Sequence, residues 1–281
     1  MTALVIHGGG FTAGGKEWVP VSQLQELTTL GFVAVSVNYR LCPTISLSDG
    51  PLSDCKDCYA WCGSVLPDLL ERDNGVLVDP SRMVVMGHSA GGHLALMMAQ
   101  NAIPPLAILD FYGAKYLSDD FWHRRNPNMP VLNVSQELLD KIWLEVPPPS
   151  TSIVAQSNLA SQEMEIDFTR PRIAWLASCL AEGTLVQHIV PPDGYACVEP
   201  TMYFKPDFPP VFFIHGTADS LVPFEFSEKA YSTLRQLGVA AELRLVDGAE
   251  HAFDEKLKMD NPIFEVIQEG IRFLAQHAKL L

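Results

Sequence analysis

The sequence predicts an α/β fold, a mostly parallel sheet flanked by helices. Three observations carry the prediction. Short continuous apolar runs alternate with helix-like segments, a serine stands between glycines where one such run meets a helix, and three glycines follow the first run almost directly. Strands buried on both faces read as uninterrupted apolar residues, because each face meets a layer of helices.

Residues 3–6, 32–37, 83–86, 106–109 and 211–214 are such runs. The stretch from Ala241 to Val246 alternates instead, with Glu242 and Arg244 expected outward, as on an edge strand. Helices are expected between the strands. The one after Ser89 is apolar nearly all round and should be buried. The last, over 262–279, carries Ile263, Ile267, Ile271 and Leu274 at core spacing. Cys55, Cys58 and Cys62 recur at helical spacing with Leu52, Leu66 and Leu69, which reads as a packed stripe facing the sheet. A zinc site would want a fourth ligand of suitable spacing, and none is evident, so no metal is expected.

Composition fits one catalytic domain. The chain has 281 residues, is 48% hydrophobic and 19% charged, and carries a formal net charge of −14, which argues against nucleic acid or an anionic membrane surface as a main partner. No segment has the apolar length of a bilayer span, and no secretory leader is evident. A cytoplasmic location is expected.

The serine lies in Gly87-His88-Ser89-Ala90-Gly91-Gly92. A strand-to-helix turn there pushes its hydroxyl above the sheet and sets the Ala90 N–H at a helix N-terminus, where it can meet developing negative charge. The sharp turn is expected to need glycine two places before and two places after the serine, for backbone torsion. The second signal is His7-Gly8-Gly9-Gly10-Phe11, directly after the first strand. Such a loop lets main-chain N–H groups approach a ligand. It lacks the Gly-Lys-Ser/Thr of a phosphate loop and the Gly-x-Gly-x-x-Gly of a dinucleotide loop, which leaves an oxyanion hole. An acid and a base should follow in chain order. Asp219 lies just past the 211–214 strand, and His251 is the one histidine of eight placed just past the last strand. Asp247 and Glu250 are rival acids, both too close along the chain to His251 to support its far ring nitrogen.

With these residues in place, the chain resembles the α/β-hydrolase superfamily, in particular the hormone-sensitive-lipase-like carboxylesterases and related small esterases and formamidases (the α/β-hydrolase fold-3 type). The match rests on His7-Gly8-Gly9-Gly10-Phe11, Asn38-Tyr39-Arg40-Leu41-Cys42-Pro43, the Ser89 motif through His93, and the Asp219 and His251 loops. The resemblance implies Ser89 as nucleophile, His251 as base, Asp219 as acid, and Gly8, Gly9 and Ala90 as oxyanion donors, with no cofactor. Two departures stand out. Asn38 and Cys42 occupy places where the family has Asp and Ala, which should alter a supporting hydrogen bond. The family also carries two strands ahead of the oxyanion loop that this sequence lacks. Without them Val33, Val35 and Val37 should form an apolar unpaired edge, covered by a second copy of the chain (a possible homodimer) or by a rearranged segment.

The core is expected over 1–110 and 211–281, with residues 111–210 as a lid. A crossover needs only about a dozen residues, and this stretch is rich in proline and in aromatics, among them Phe121, Trp122, Trp143, Trp175, Tyr195, Tyr203 and Phe204. An aromatic lid favours an apolar substrate, although the same rings could form the lid's own core. Phe11 and Trp18, after the oxyanion loop, and His88, before the nucleophile, are candidates to touch substrate. The expected activity is hydrolysis of a small to medium, largely apolar ester through an acyl-enzyme. The alternatives are an acyltransferase or thioesterase acting on a polyketide-like intermediate, and a non-catalytic small-molecule receptor.

Overall fold

A computed structural model of the chain describes residues 1–152, 155–157 and 164–281. The amino-terminal part alternates strand and helix: β1 (Thr2–Ile6), α1 (Val21–Thr29), β2 (Val33–Val37), α2 (Ser53–Ser64), α3 (Leu66–Asn74), β3 (Met83–His88), α4 (Ala90–Met97) and β4 (Ile108–Phe111). An insertion follows, with α5 (Gln136–Asp140), the short antiparallel strands β5 (Ala155–Ser157) and β6 (Met164–Ile166), α6 (Pro171–Glu182), α7 (Leu185–Ile189) and α8 (Tyr195–Val198). The chain then closes with β7 (Val211–Gly216), α9 (Phe224–Gln236), β8 (Ala241–Val246) and α10 (Phe264–His277).

One six-stranded sheet results, in the order β2-β1-β3-β4-β7-β8, with every pair parallel. The apolar runs are continuous because successive side chains serve opposite layers. Leu4, Ile6, Val85, Ile108 and Phe213 join the cluster beneath α2, α4 and α9. Ala3, Val5, Val84, Met86, Leu109 and Phe212 join the one beneath α1 and α10, to which Ile267, Ile271 and Leu274 contribute. All eight residues of α4 are buried.

The alternation of β8 marks an edge, but Glu242 and Arg244 are not simply solvated. Arg244 pairs with Glu242 (3.1 Å) and with Glu269 of α10 (2.6 Å), and its guanidinium covers the Phe212 ring. The fourth strand runs two residues later than expected. Leu106 and Ala107 do bond to the main chain of β3, donating to Met83 and accepting from Val85, but the regular ladder starts at Ile108. Strands β3 and β7 also extend past their apolar runs through His88 and Gly216, since main-chain pairing does not depend on side-chain hydropathy.

At the other edge, β2 pairs with β1 alone among the described residues, so it is the unpaired edge strand expected. Its side chains are less open than expected, because pleating turns alternate side chains onto the faces of the sheet and not past its edge. Val33 and Val35 are half-buried against the apolar cluster, and Val37 is buried. The cysteine stripe packs largely as expected, with Cys55 and Cys62 buried and Cys58 half-buried. Among the described residues no group of three or more His, Cys, Asp or Glu side chains could hold a metal ion. No described helix is long and apolar enough to cross a membrane.

The insertion has no separate core among the described residues. Trp122, Ile142, Trp175, Leu185 and Ile189 pack into the same cluster as Leu94 and Ala95 of α4. Trp143 stays exposed, edge-on to Trp175 at 6.1 Å. Below the insertion lies a fully buried ion pair: Lys115 Nζ stands 2.6 Å from Asp110 Oδ2 and donates to Gly113 O. Removing one partner of such a pair strands a charge, which costs about 3–5 kcal/mol. Lys115→Met is therefore expected to lower unfolding free energy by about that amount, and adding Asp110→Asn should recover more than half of it. Chemical denaturation of the two variants checks this.

Candidate active site

Strand β3 delivers the chain to Ser89, and α4 carries it away. Between them Ser89 adopts φ 55° and ψ −117°, a conformation that side chains rarely hold unless their surroundings fix it. The neighbouring glycines serve a different purpose from the one expected. Gly87 and Gly91 do not have left-handed torsions; they are needed for close approach. A Cβ on Gly87 would lie 2.0 Å from Gly91 O, and one on Gly91 would lie 2.1 Å from Ile6 O. The start of α4 thus rests directly on the backbone of β1. The Ser89 N–H donates to Phe111 O (2.8 Å), and Ser89 O accepts from Gly92 and His93.

Three chain-distant residues meet here. His251 Nε2 lies 3.0 Å from Ser89 Oγ, and His251 Nδ1 lies 2.7 Å from Asp219 Oδ2. The carboxylate fixes the tautomer: Nδ1 carries the proton and Nε2 offers its lone pair to the hydroxyl. Asp219 is itself held by the N–H groups of Leu221 (2.8 Å) and Val222 (2.9 Å). His215 Nε2–H, shared between Asp219 (3.1 Å) and Val222 O, adds a fourth donor, and its Nδ1 accepts from Ser227 Oγ. Burial alone would push the Asp219 carboxyl up. The hydrogen bonds from His215 and His251 outweigh it and hold the carboxyl well below the usual carboxylate range. The rivals Asp247 and Glu250 are exposed, and Asp247 accepts from Thr217 instead.

The glycine loop faces this array. A Cβ on Gly8 would stand 3.3 Å from Ser89 Cβ, and Gly9, at φ 107°, would drive one to 2.1 Å from Ala13 O. The loop's carbonyls are occupied. His7 O and Gly8 O accept from Tyr39 Oη, Gly9 O from Thr12 and Ala13 N–H, Gly10 O from Thr12 Oγ1, and Phe11 O from Cys42 N–H. The N–H groups of Gly8, Gly9 and Ala90 have no acceptor among the described residues. A loop whose acceptors are filled and whose donors are free is suited to an anionic oxygen. Asn38, at the departing position, accepts from Lys16 N–H (2.6 Å) just beyond the loop.

Gly8, Gly9, Ser89, Ala90 and His251 line a cavity of about 1040 Å³. Phe11, Trp18 and His88 all line it, but Phe11 and His88 are almost wholly buried and present little surface. The insertion supplies the facing wall through Met129, Phe168, Ile173, Leu176, Leu180 and Leu185. Two contributors escaped sequence reasoning. Arg172, at the start of α6, donates to Thr12 O (2.6 Å) and Cys42 O (2.5 Å) and pairs with Glu145, so the wall is pinned to the glycine loop. Tyr112 packs its ring 4.7 Å from that of His251. Neither belongs to a motif, and only the fold brings them in.

His7 opens the glycine loop in a dry environment. Burial pushes it down to about 4, although its Nδ1–H is held by Gly8 O. It remains neutral when folded, whereas the unfolded chain takes up a proton near pH 6.5. Its contribution is therefore complete above pH 6.5 and is lost as pH falls towards 4. Buried His93 and His277, also shifted down, act in the same direction. Unfolding free energy should fall over this window, with His7 accounting for a loss on the order of 3 kcal/mol. Urea titrations at several pH values check it; a flat profile contradicts the burial of a neutral His7.

Comparison with known proteins agrees with this architecture. A family model described as alpha/beta hydrolase fold matches residues 3–255. Among solved structures, a Staphylococcus aureus protein of unknown function superposes with a TM-score of 0.72 at 19% identity, covering 99% of this chain and 89% of that one. A thermophilic esterase of Thermogutta terrifontis gives 0.63 at 20% identity, covering 98% and 81%. Among curated sequences, a non-reducing polyketide synthase of Penicillium rubens is 33% identical over 310 residues, and one of Penicillium brasilianum is 30% identical over 313. Both alignments take in 99% of this chain but only 12% and 13% of those proteins, so the chain spans about an eighth of their length. With its parallel six-stranded sheet and the match over 3–255, the chain belongs to the α/β-hydrolase fold-3, hormone-sensitive-lipase-like family.

Proposed function

We propose that the chain is a serine hydrolase that cleaves a carboxylic ester of a largely apolar substrate through an acyl-enzyme. The observation that carries this reading is the hydrogen-bonded series Ser89–His251–Asp219 beside the unpaired N–H groups of Gly8, Gly9 and Ala90. In the first step Ser89 Oγ bonds to the carbonyl carbon as His251 Nε2 takes the hydroxyl proton. The carbonyl oxygen becomes an oxyanion facing the three N–H groups. The bond to the leaving oxygen then breaks, and His251 returns its proton to that oxygen. In the second step water, deprotonated by His251, attacks the acyl carbon and frees Ser89. Neither metal nor organic cofactor is required for these steps.

The cavity supports a bulky acyl group. Its volume of about 1040 Å³ lies at the upper end for small-molecule sites, and its walls are mainly aliphatic and aromatic. The polyketide synthase relatives favour one variation, in which the scissile bond is a thioester of a polyketide-like acyl chain. The same machinery serves it, with sulfur as leaving atom, and a competing alcohol in place of water would make it an acyl transfer. The complete triad is a reason to prefer catalysis to a receptor role. A soluble compartment and a small-molecule partner fit this reading.

Ser89→Ala should lower kcat on p-nitrophenyl esters by several orders of magnitude and abolish labelling by a fluorophosphonate. A substantial rate in that variant contradicts the assignment. Matched oxygen esters and N-acetylcysteamine thioesters of one aromatic acid, compared by kcat/KM, separate the two leaving groups. Product partitioning towards an added alcohol reports acyl transfer.

A further inference from the structure

Behind Ser89 and His251 lies a second set of polar side chains that the proposed steps do not use. Asp254, three residues beyond the base, is fully buried. Its Oδ1 accepts from the Tyr112 hydroxyl, and its Oδ2 accepts from Gln23 Nε2 at 2.5 Å. His88 Nε2 stands 3.2 Å from the same Oδ2 and 2.8 Å from Gln23 Oε1. Gln23 donates through its nitrogen to Asp254, so its oxygen is an acceptor and His88 Nε2 carries a proton. Gln23, on α1, has no exposed surface, and His88 is stacked on Phe111 at 4.5 Å.

These contacts have a particular place in the fold. His88 is bonded through the chain to Ser89, and Asp254 belongs to the loop that carries His251. Apart from the Ser89–His251 contact, His88–Asp254 is the one direct side-chain hydrogen bond or ion pair between the nucleophile turn and the base loop among the described residues. Tyr112 makes a second link, since its hydroxyl is held by Asp254 while its ring packs against the His251 imidazole at 4.7 Å. Tyr112 also sits at φ 40°, with its N–H donated to Ile214 O, a strained conformation that the surrounding bonds sustain.

We infer that Asp254, with His88, Gln23 and Tyr112, braces the nucleophile turn against the base loop and sets the distance and orientation of His251 towards Ser89. Asp254 is a positioning residue: it touches none of the reacting atoms. A misplacement of about 1 Å between reacting groups can lower a rate by roughly 100-fold, which is why a rigid brace matters there.

The inference rests on the proposed serine mechanism, and the test separates the two. The whole chain and its Asp254→Asn and Tyr112→Phe variants are titrated with a fluorophosphonate to count competent Ser89. Then kcat and KM are measured per titrated site on a p-nitrophenyl ester. For Asp254→Asn the expected result is a 10- to 100-fold fall in kcat with KM little changed. Tyr112→Phe should lower kcat by a smaller factor. Unchanged kcat per site in Asp254→Asn overturns the brace, also where Tm is lowered, since lost stability at an unchanged rate is the mark of a merely structural role. The downfield proton resonance of His251 Nδ1–H provides a readout that needs no turnover. Loss or shift of that signal in Asp254→Asn supports the brace even if no ester is cleaved, and an unaltered signal overturns it. Failure of the unmodified chain to label at Ser89 counts against the serine mechanism alone.

Discussion

The rest of the structure depends on one steric constraint: the backbone of α4 lies directly on the backbone of β1. Gly91 has Ile6 O where its side chain would be, and Gly87 has Gly91 O. Only because of this contact can the chain turn within one residue from strand to helix, leaving Ser89 strained and its hydroxyl above the sheet. The Ala90 N–H at this turn, like those of Gly8 and Gly9, has no acceptor among the described residues. Helix α4 must be buried on every side to hold this position, and its sequence is accordingly apolar almost throughout. Strain at Ser89 is sustained by the packing around it.

Electrostatics follow from that geometry. A sheet of parallel strands brings its carboxyl ends, and so its loops, to one side. There Asp219 is dry, yet four donors keep it ionised. In the proposed mechanism an ionised carboxylate behind the imidazole makes His251 a directed base, and the filled carbonyls of the glycine loop leave its N–H groups as fixed dipoles. These dipoles need no reorganisation when an oxyanion forms, which is the economical way to stabilise charge. The segment between β4 and β7 lines the cavity with apolar side chains, and Arg172 joins this wall to the loop.

Much of this could be read in the sequence, because it is local. The strand runs, the Ser89 turn, the glycine loop and the positions of Asp219 and His251 each show within a short stretch of residues. The parts that could not be read are relations between distant segments. Nothing near Gln23 predicts that it will meet Asp254, 231 residues away. Asp254 was hidden by the more obvious carboxylates Asp247 and Glu250, which turned out to be exposed. Arg172 reads as an ordinary helix-start cation until the fold buries it against two carbonyls. Chain pattern also misjudged the reason for Gly87 and Gly91, since a requirement for torsion and one for close approach look alike in sequence. It placed β2 as an unpaired edge, as found, but missed that pleating turns Val33 and Val35 onto the cluster below.

The central claim is that Ser89 becomes covalently acylated. Rapid mixing with an activated aromatic ester, acid quenching and intact-mass analysis tests it most directly. The account predicts an adduct of one acyl group per chain, mapped to the peptide that contains Ser89 and absent from Ser89→Ala. Turnover without that adduct in a pre-steady-state time course, or an adduct on another residue that persists in Ser89→Ala, would contradict it.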